Sequence, residues 1–72
     1  VKGDRIVELD YSGAKATYLK EIGDYENSLI FAHRKLENAT NLGYEDEIMD
    51  SHQLLSEIYK EMGDFEKSLE NI

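Results

Sequence analysis

Seventy-two residues carrying eight basic against sixteen acidic side chains, with 40% hydrophobic residues, set a single small acidic domain of net charge −8. A chain this short buries only about 60% of its unfolded surface, so its core is small, and no apolar run reaches the roughly twenty residues of a membrane span. The absence of cysteine removes disulfide frameworks and thiolate metal sites and fits a reducing, cytoplasmic setting.

The charge is uneven. Residues 1–43 hold six basic and seven acidic groups, a net of −1, whereas residues 44–72 hold two basic and nine acidic groups, a net of −7. Such a surface repels phosphate backbones, which argues against nucleic acid and for a protein or peptide partner of basic or mixed charge.

In chain order, residues 1–3 read as a lead-in and Asp4 as a candidate helix cap. Ile6, Leu9, Gly13, Ala16, Leu19 and Ile22 then recur every three or four residues as one face of a first helix. Val7, Leu9 and Tyr11 alternate with Glu8 and Asp10 as a strand would, but the alternation stops at Ala14-Lys15-Ala16, a helix-favouring run. Gly13, Ala14 and Ala16 are small enough to let another helix come close, and Gly13 costs the helix about 1 kcal/mol relative to Ala. Kink and close contact both remain open for Gly13. A second helix is expected from Tyr25 to Leu42, with Ser28, Leu29, Ala32, Leu36, Ala39 and Leu42 inward and Gly43 as its stop. A third starts near Glu45 or Asp46, where Glu45, Asp46, Glu47 and Asp50 suit the positive end of the helix dipole. Its expected inner face is Ile48, Met49, His52, Leu55, Ser56, Tyr59 and Met62. A last short helix starts at Phe65 and would be marginal alone.

One stretch is said twice. Tyr18-Leu-Lys-Glu-Ile-Gly-Asp-Tyr-Glu-Asn-Ser-Leu29 returns forty residues later as Ile58-Tyr-Lys-Glu-Met-Gly-Asp-Phe-Glu-Lys-Ser-Leu69, with seven of twelve positions identical. Four of the other five exchange one apolar residue for another, so the unit repeats physically as well as literally. Gly23 and Gly63 can take the left-handed conformation that closes a helix, and Asp24 and Asp64 can cap the next one. Tyr25 and Phe65 are then expected to pack back on the preceding helix.

Gly23-Asp24-Tyr25 with Ser28, Gly63-Asp64-Phe65 with Ser68, and the small residues Ala16 and Ser56 resemble the tetratricopeptide repeat. Leu19, Tyr59, Ala32 and Leu36 match further positions, and the likeness covers residues 9–72. It implies an all-α fold of antiparallel helix pairs stacked as an α-solenoid, here about four helices in under two repeats, residues 9–48 and 49–72. The chain departs from the family in lacking a Trp in the first helix of each pair (helix A, the second being helix B) and a closing proline, and in its period of forty against a standard of about 34. The extra residues are expected to lengthen the second helix, as in the long repeats of kinesin light chains and bacterial signalling regulators. Beginning at Val1 and ending at Ile72 inside a B-type helix, the chain reads as a piece of a longer array.

The resemblance also implies a ligand groove lined by helix A, which carries onto Asp10, Gly13 and Thr17 in the first repeat and Asp50, Gln53 and Glu57 in the second. The competing reading for these six is a solvated face. Chaperone-binding relatives place Lys, Arg and Asn there to clamp a terminal carboxylate; carboxylates at Asp10, Asp50 and Glu57 would repel one. Because fewer than about three repeats seldom suffice, the open faces are expected to meet further copies as a homodimer or stack, with Ile6, Leu9, Leu69 and Ile72 as seams. His33 and His52 have no partner at helical spacing to make a metal or acid–base pair, and Glu45 to Asp50 lacks a calcium-loop spacing. Neither enzyme, cofactor nor metal is therefore expected. Tyr11, Tyr18 and Tyr44 stay open as recognition residues. The expected function is a non-catalytic scaffold for a peptide or helix, and the runner-up is a sensory segment of a bacterial signalling protein. A plain four-helix bundle would explain the helices but not the repeat.

Overall fold

The computed structural model describes the backbone of residues 2–71 and the side chains of residues 10–71. Four helices account for it: α1 (Lys2–Glu21), α2 (Tyr25–Leu42), α3 (Glu45–Met62) and α4 (Phe65–Glu70). The protein is all-α, as the periodicity requires.

Both repeated turns are built alike. Gly23 (φ 84°) and Gly63 (φ 86°) adopt the left-handed region. The amide of each donates to the carbonyl three residues back, and the amides of Asp24 and Asp64 donate to Leu19 and Tyr59. These two bonds close the helix end on its own carbonyls. The Asp24 and Asp64 carboxylates then accept from the amides of Asn27 and Lys67, capping the next helix at 3.3 and 3.2 Å. Gly43 (φ 73°) closes α2 in the same way, but Tyr44 offers no side-chain cap, and Glu45, Asp46 and Glu47 face the dipole of α3 instead.

Turns of two or three residues force successive helices antiparallel, and the side-chain contacts follow. Ala16 meets Ser28 nearest the turn, and Gly13 meets Lys35 further out. Small residues set the spacing. Ala16, Ala32, Ala39, Ser28 and Ser51 are fully buried, and Ser12 nearly so, with Leu55 and Ile58 the large side chains at the centre. The Ser28 hydroxyl donates to the Ala16 carbonyl at 2.6 Å, and forty residues on the Ser68 hydroxyl donates to the Ser56 carbonyl at 2.9 Å. Helix pairs can approach this closely only where neither side has bulk.

Several expectations are corrected. Helix α1 already includes Lys2, so Asp4 lies in its first turn rather than ahead of it. Ile22 and Met62 are exposed: Ile22 lies in the turn just after α1, and Met62 is the last residue of α3. The buried face of α3 is Ser51, Leu54, Leu55 and Ile58, whereas Met49 is 69% exposed. Helix α3 packs against α2 and α4 and touches α1, so a single stripe drawn through its sequence misplaces the centre. Tyr25 packs on the core as expected, but its counterpart Phe65 is 62% exposed.

The glycine turns give a direct stability test. A Cβ on Gly23, Gly43 or Gly63 would touch nothing within 4 Å, so replacement by Ala costs only the left-handed backbone. Gly23→Ala and Gly43→Ala are each expected to lose about 1 kcal/mol and about 4–8 °C in Tm by circular dichroism. Gly63→Ala should cost less, since it anchors only the six residues of α4.

Candidate functional site

All six groove residues expected from the sequence line one open groove running along α1 and α3. Helix α1 supplies Asp10, Gly13 and Thr17, and α3 supplies Asp50, Gln53 and Glu57 at the same positions forty residues on. Helix α2 is antiparallel to both, which leaves α1 and α3 parallel and brings equivalent positions side by side.

The floor contains residues that the sequence did not single out. Leu54 is buried beneath the groove, and Lys35 of α2 reaches up between the two flanking helices. Gly13 is what gives Lys35 room: a Cβ there would lie 3.3 Å from the Lys35 Cδ. Gly13 therefore marks a close approach rather than a kink. The Lys35 ammonium pairs with Glu47 at 3.6 Å, and Lys20 pairs with Glu57 at 3.1 Å across α1 and α3. Only the smallness of Gly13 hinted at this, since periodicity locates a face but not what passes through it.

Charge dominates the lining. Asp10, Glu21, Glu47, Asp50 and Glu57 share the lining with one basic residue, Lys35, and the Lys20 ammonium reaches Glu57 from outside it. Of these, Asp10, Glu21 and Asp50 form no salt bridge among the described residues. Thr17 turns its hydroxyl to the Gly13 carbonyl at 3.0 Å, so it offers a methyl group and lone pairs rather than a donor. Tyr18 forms the rim, with the Lys15 ammonium 5.6 Å from its ring centre. The surface can hold positive charge, and it can lay an extended or helical segment along two parallel helices.

The remaining candidates sit elsewhere. His33 is exposed, and the His52 Nδ1 lies 3.2 Å from the Asn71 Oδ1 in a hollow beyond the end of α4, beside Met49 and Glu70. Tyr11 packs edge-on against Phe31 with ring centres 6.0 Å apart, and Tyr44 is exposed. Leu69 is 70% exposed on α4. The side chains of Ile6 and Leu9, and Ile72 altogether, lie outside the described residues. No helix among the described residues is long and apolar enough to cross a membrane. No family model, curated protein or solved structure matches this chain.

The Gly13–Lys35 contact can be probed from both sides. Gly13→Ala should raise the melting temperature by a few degrees, because the helix gains up to about 1 kcal/mol and the flexible Lys35 stem can move a few tenths of an ångström. Gly13→Val should lower it, since a branched Cβ blocks the passage of Lys35. Thermal denaturation of the two variants decides, and the same direction for both would rule out Lys35 as the controlling contact.

Proposed function

We propose that this chain is a non-catalytic interaction scaffold of the tetratricopeptide type, acting in the cytoplasm. It holds a basic or mixed-charge peptide or helix in the α1–α3 groove and associates with further copies through its outer faces. The observation that carries the groove reading is the convergence of Asp10, Glu21 and Asp50, free of salt bridges among the described residues, on one open surface. Carboxylates held on helices have already lost part of their freedom, so a Lys or Arg side chain finds them oriented. The identical construction of the two Gly-Asp turns supports a repeat scaffold over a plain bundle. Exposed Phe65 and Leu69 support association.

The groove reading is tested with a pair of fluorescent peptides of equal length, one rich in Lys and Arg and one rich in Glu, titrated against the protein by anisotropy. The basic peptide is expected to bind and to weaken as salt is raised. Asp10→Lys and Asp50→Lys should each lower its affinity about threefold to tenfold, the range for a reversed exposed charge. Equal binding of both peptides, or indifference to both reversals, removes the groove as the site.

A further inference from the structure

The available acid of the groove is divided between two ends. Asp10 and Asp50 hold equivalent positions on the parallel helices α1 and α3, and both are exposed. Glu21, also exposed, lies eleven residues beyond Asp10 on α1. That is a rise of about 16 Å and about three turns, so Glu21 returns to the face of Asp10. The other two carboxylates of the lining are already paired, Glu47 with Lys35 at 3.6 Å and Glu57 with Lys20 at 3.1 Å. Between the two ends the remaining lining is uncharged: Gly13, Ala14, Thr17, Gln53 and Leu54, with Tyr18 at the rim. A ligand cation gains less from a carboxylate shared with an ammonium than from one without such a neighbour.

We infer that the groove takes an extended peptide segment bearing two basic side chains about 16 Å apart with uncharged residues between them, one meeting Asp10 and Asp50 and the other meeting Glu21. The inference rests on the groove reading proposed above and names the charge pattern of its partner. An extended backbone rises about 3.3 Å per residue, so about five residues separate the two basic positions. A helical partner would bury an apolar stripe recurring every three or four residues. The groove has little to receive one, since the only large aliphatic side chain of its lining, Leu54, is already buried. Gln53 instead offers an exposed amide, both donor and acceptor, to the polar backbone of an extended segment.

An NMR titration of the isotope-labelled protein tests this at about 0.1 M salt, where a screening length of about 10 Å lets each end be read separately. Two peptides of identical composition are compared, each with two arginines among glycines and serines and with both termini blocked. One carries its arginines five residues apart and the other carries them adjacent. The spaced peptide is expected to bind about twofold to fivefold tighter, the range for one further exposed charge contact, and to shift the amide signals around Asp10, Asp50 and Glu21 together. Glu21→Gln should bring it down to the level of the adjacent peptide, and Asp50→Asn should weaken both. These are exposed side chains, and circular dichroism checks that each variant keeps wild-type helicity. An adjacent peptide that binds as tightly as the spaced one, or an advantage that survives Glu21→Gln, overturns the two-ended pattern and leaves the groove standing where Asp50→Asn still weakens both. Absence of binding by either peptide, or signal shifts confined to residues outside the groove, overturns the pattern and the groove reading together.

Discussion

The close approach of α1 and α2 at Ser28 and Ala16 is the constraint on which the rest depends. A hydroxyl 2.6 Å from a helix carbonyl, with both residues fully buried, holds two helix backbones near each other with no side chain between them. The centre of the protein consequently holds three alanines and several serines around few large residues. Burying hydroxyls in this way is tolerable because each finds a partner: Ser28 and Ser68 bond across helices, Ser51 bonds to the Glu47 carbonyl, and no buried side-chain nitrogen or oxygen among the described residues lacks one. Small core residues contribute little apolar area each, about 25 cal/mol per Å², so helix proximity and backbone dispersion carry more of the packing than side-chain bulk.

Local chemistry was legible because it is written in residues with one physical reading. The turns at Gly23, Gly43 and Gly63, the caps at Asp24 and Asp64, and the span of α2 from Tyr25 to Leu42 all follow from left-handed glycine, carboxylate capping and period. The repeat also placed all six groove residues on one surface, since positions forty apart on parallel helices must lie side by side. Tertiary facts were less legible. Ser12 and Ser51 read as polar and are buried; Met49, Met62 and Phe65 read as apolar and are exposed. Hydropathy ranks the side chain, whereas burial depends on whether another helix stands opposite.

Helix α3 shows how one element serves three surfaces. Leu55 and Ile58 fill the core, Ser56 receives Ser68 of α4, and Asp50, Gln53 and Glu57 line the groove. Its position relative to α1 is not set by direct packing, which is slight. It is set through α2, which both helices grip, with the Lys20–Glu57 and Lys35–Glu47 pairs spanning the gaps. Exposed ion pairs of this kind contribute roughly 0–1 kcal/mol, so the width of the groove is governed by α2.

That dependence joins the core to the groove. Whatever lies between α1 and α3 meets two walls whose separation is fixed by the Ala16–Ser28 contact on one side and by α2 against Leu55 and Ile58 on the other. The walls are rigid because they are helices, and their carboxylates stand at a spacing that the internal repeat defines. The floor is the one adjustable part. Lys35 enters through the space left by Gly13, and its ammonium is held by a single carboxylate at 3.6 Å, that of Glu47. A cationic group placed near Asp50 competes with Lys35 for the acidic lining, and a lysine stem can swing aside where a helix cannot. The groove is therefore fixed in width and direction by small buried residues, while Lys35, the one basic residue of its lining, offsets part of the charge of five carboxylates.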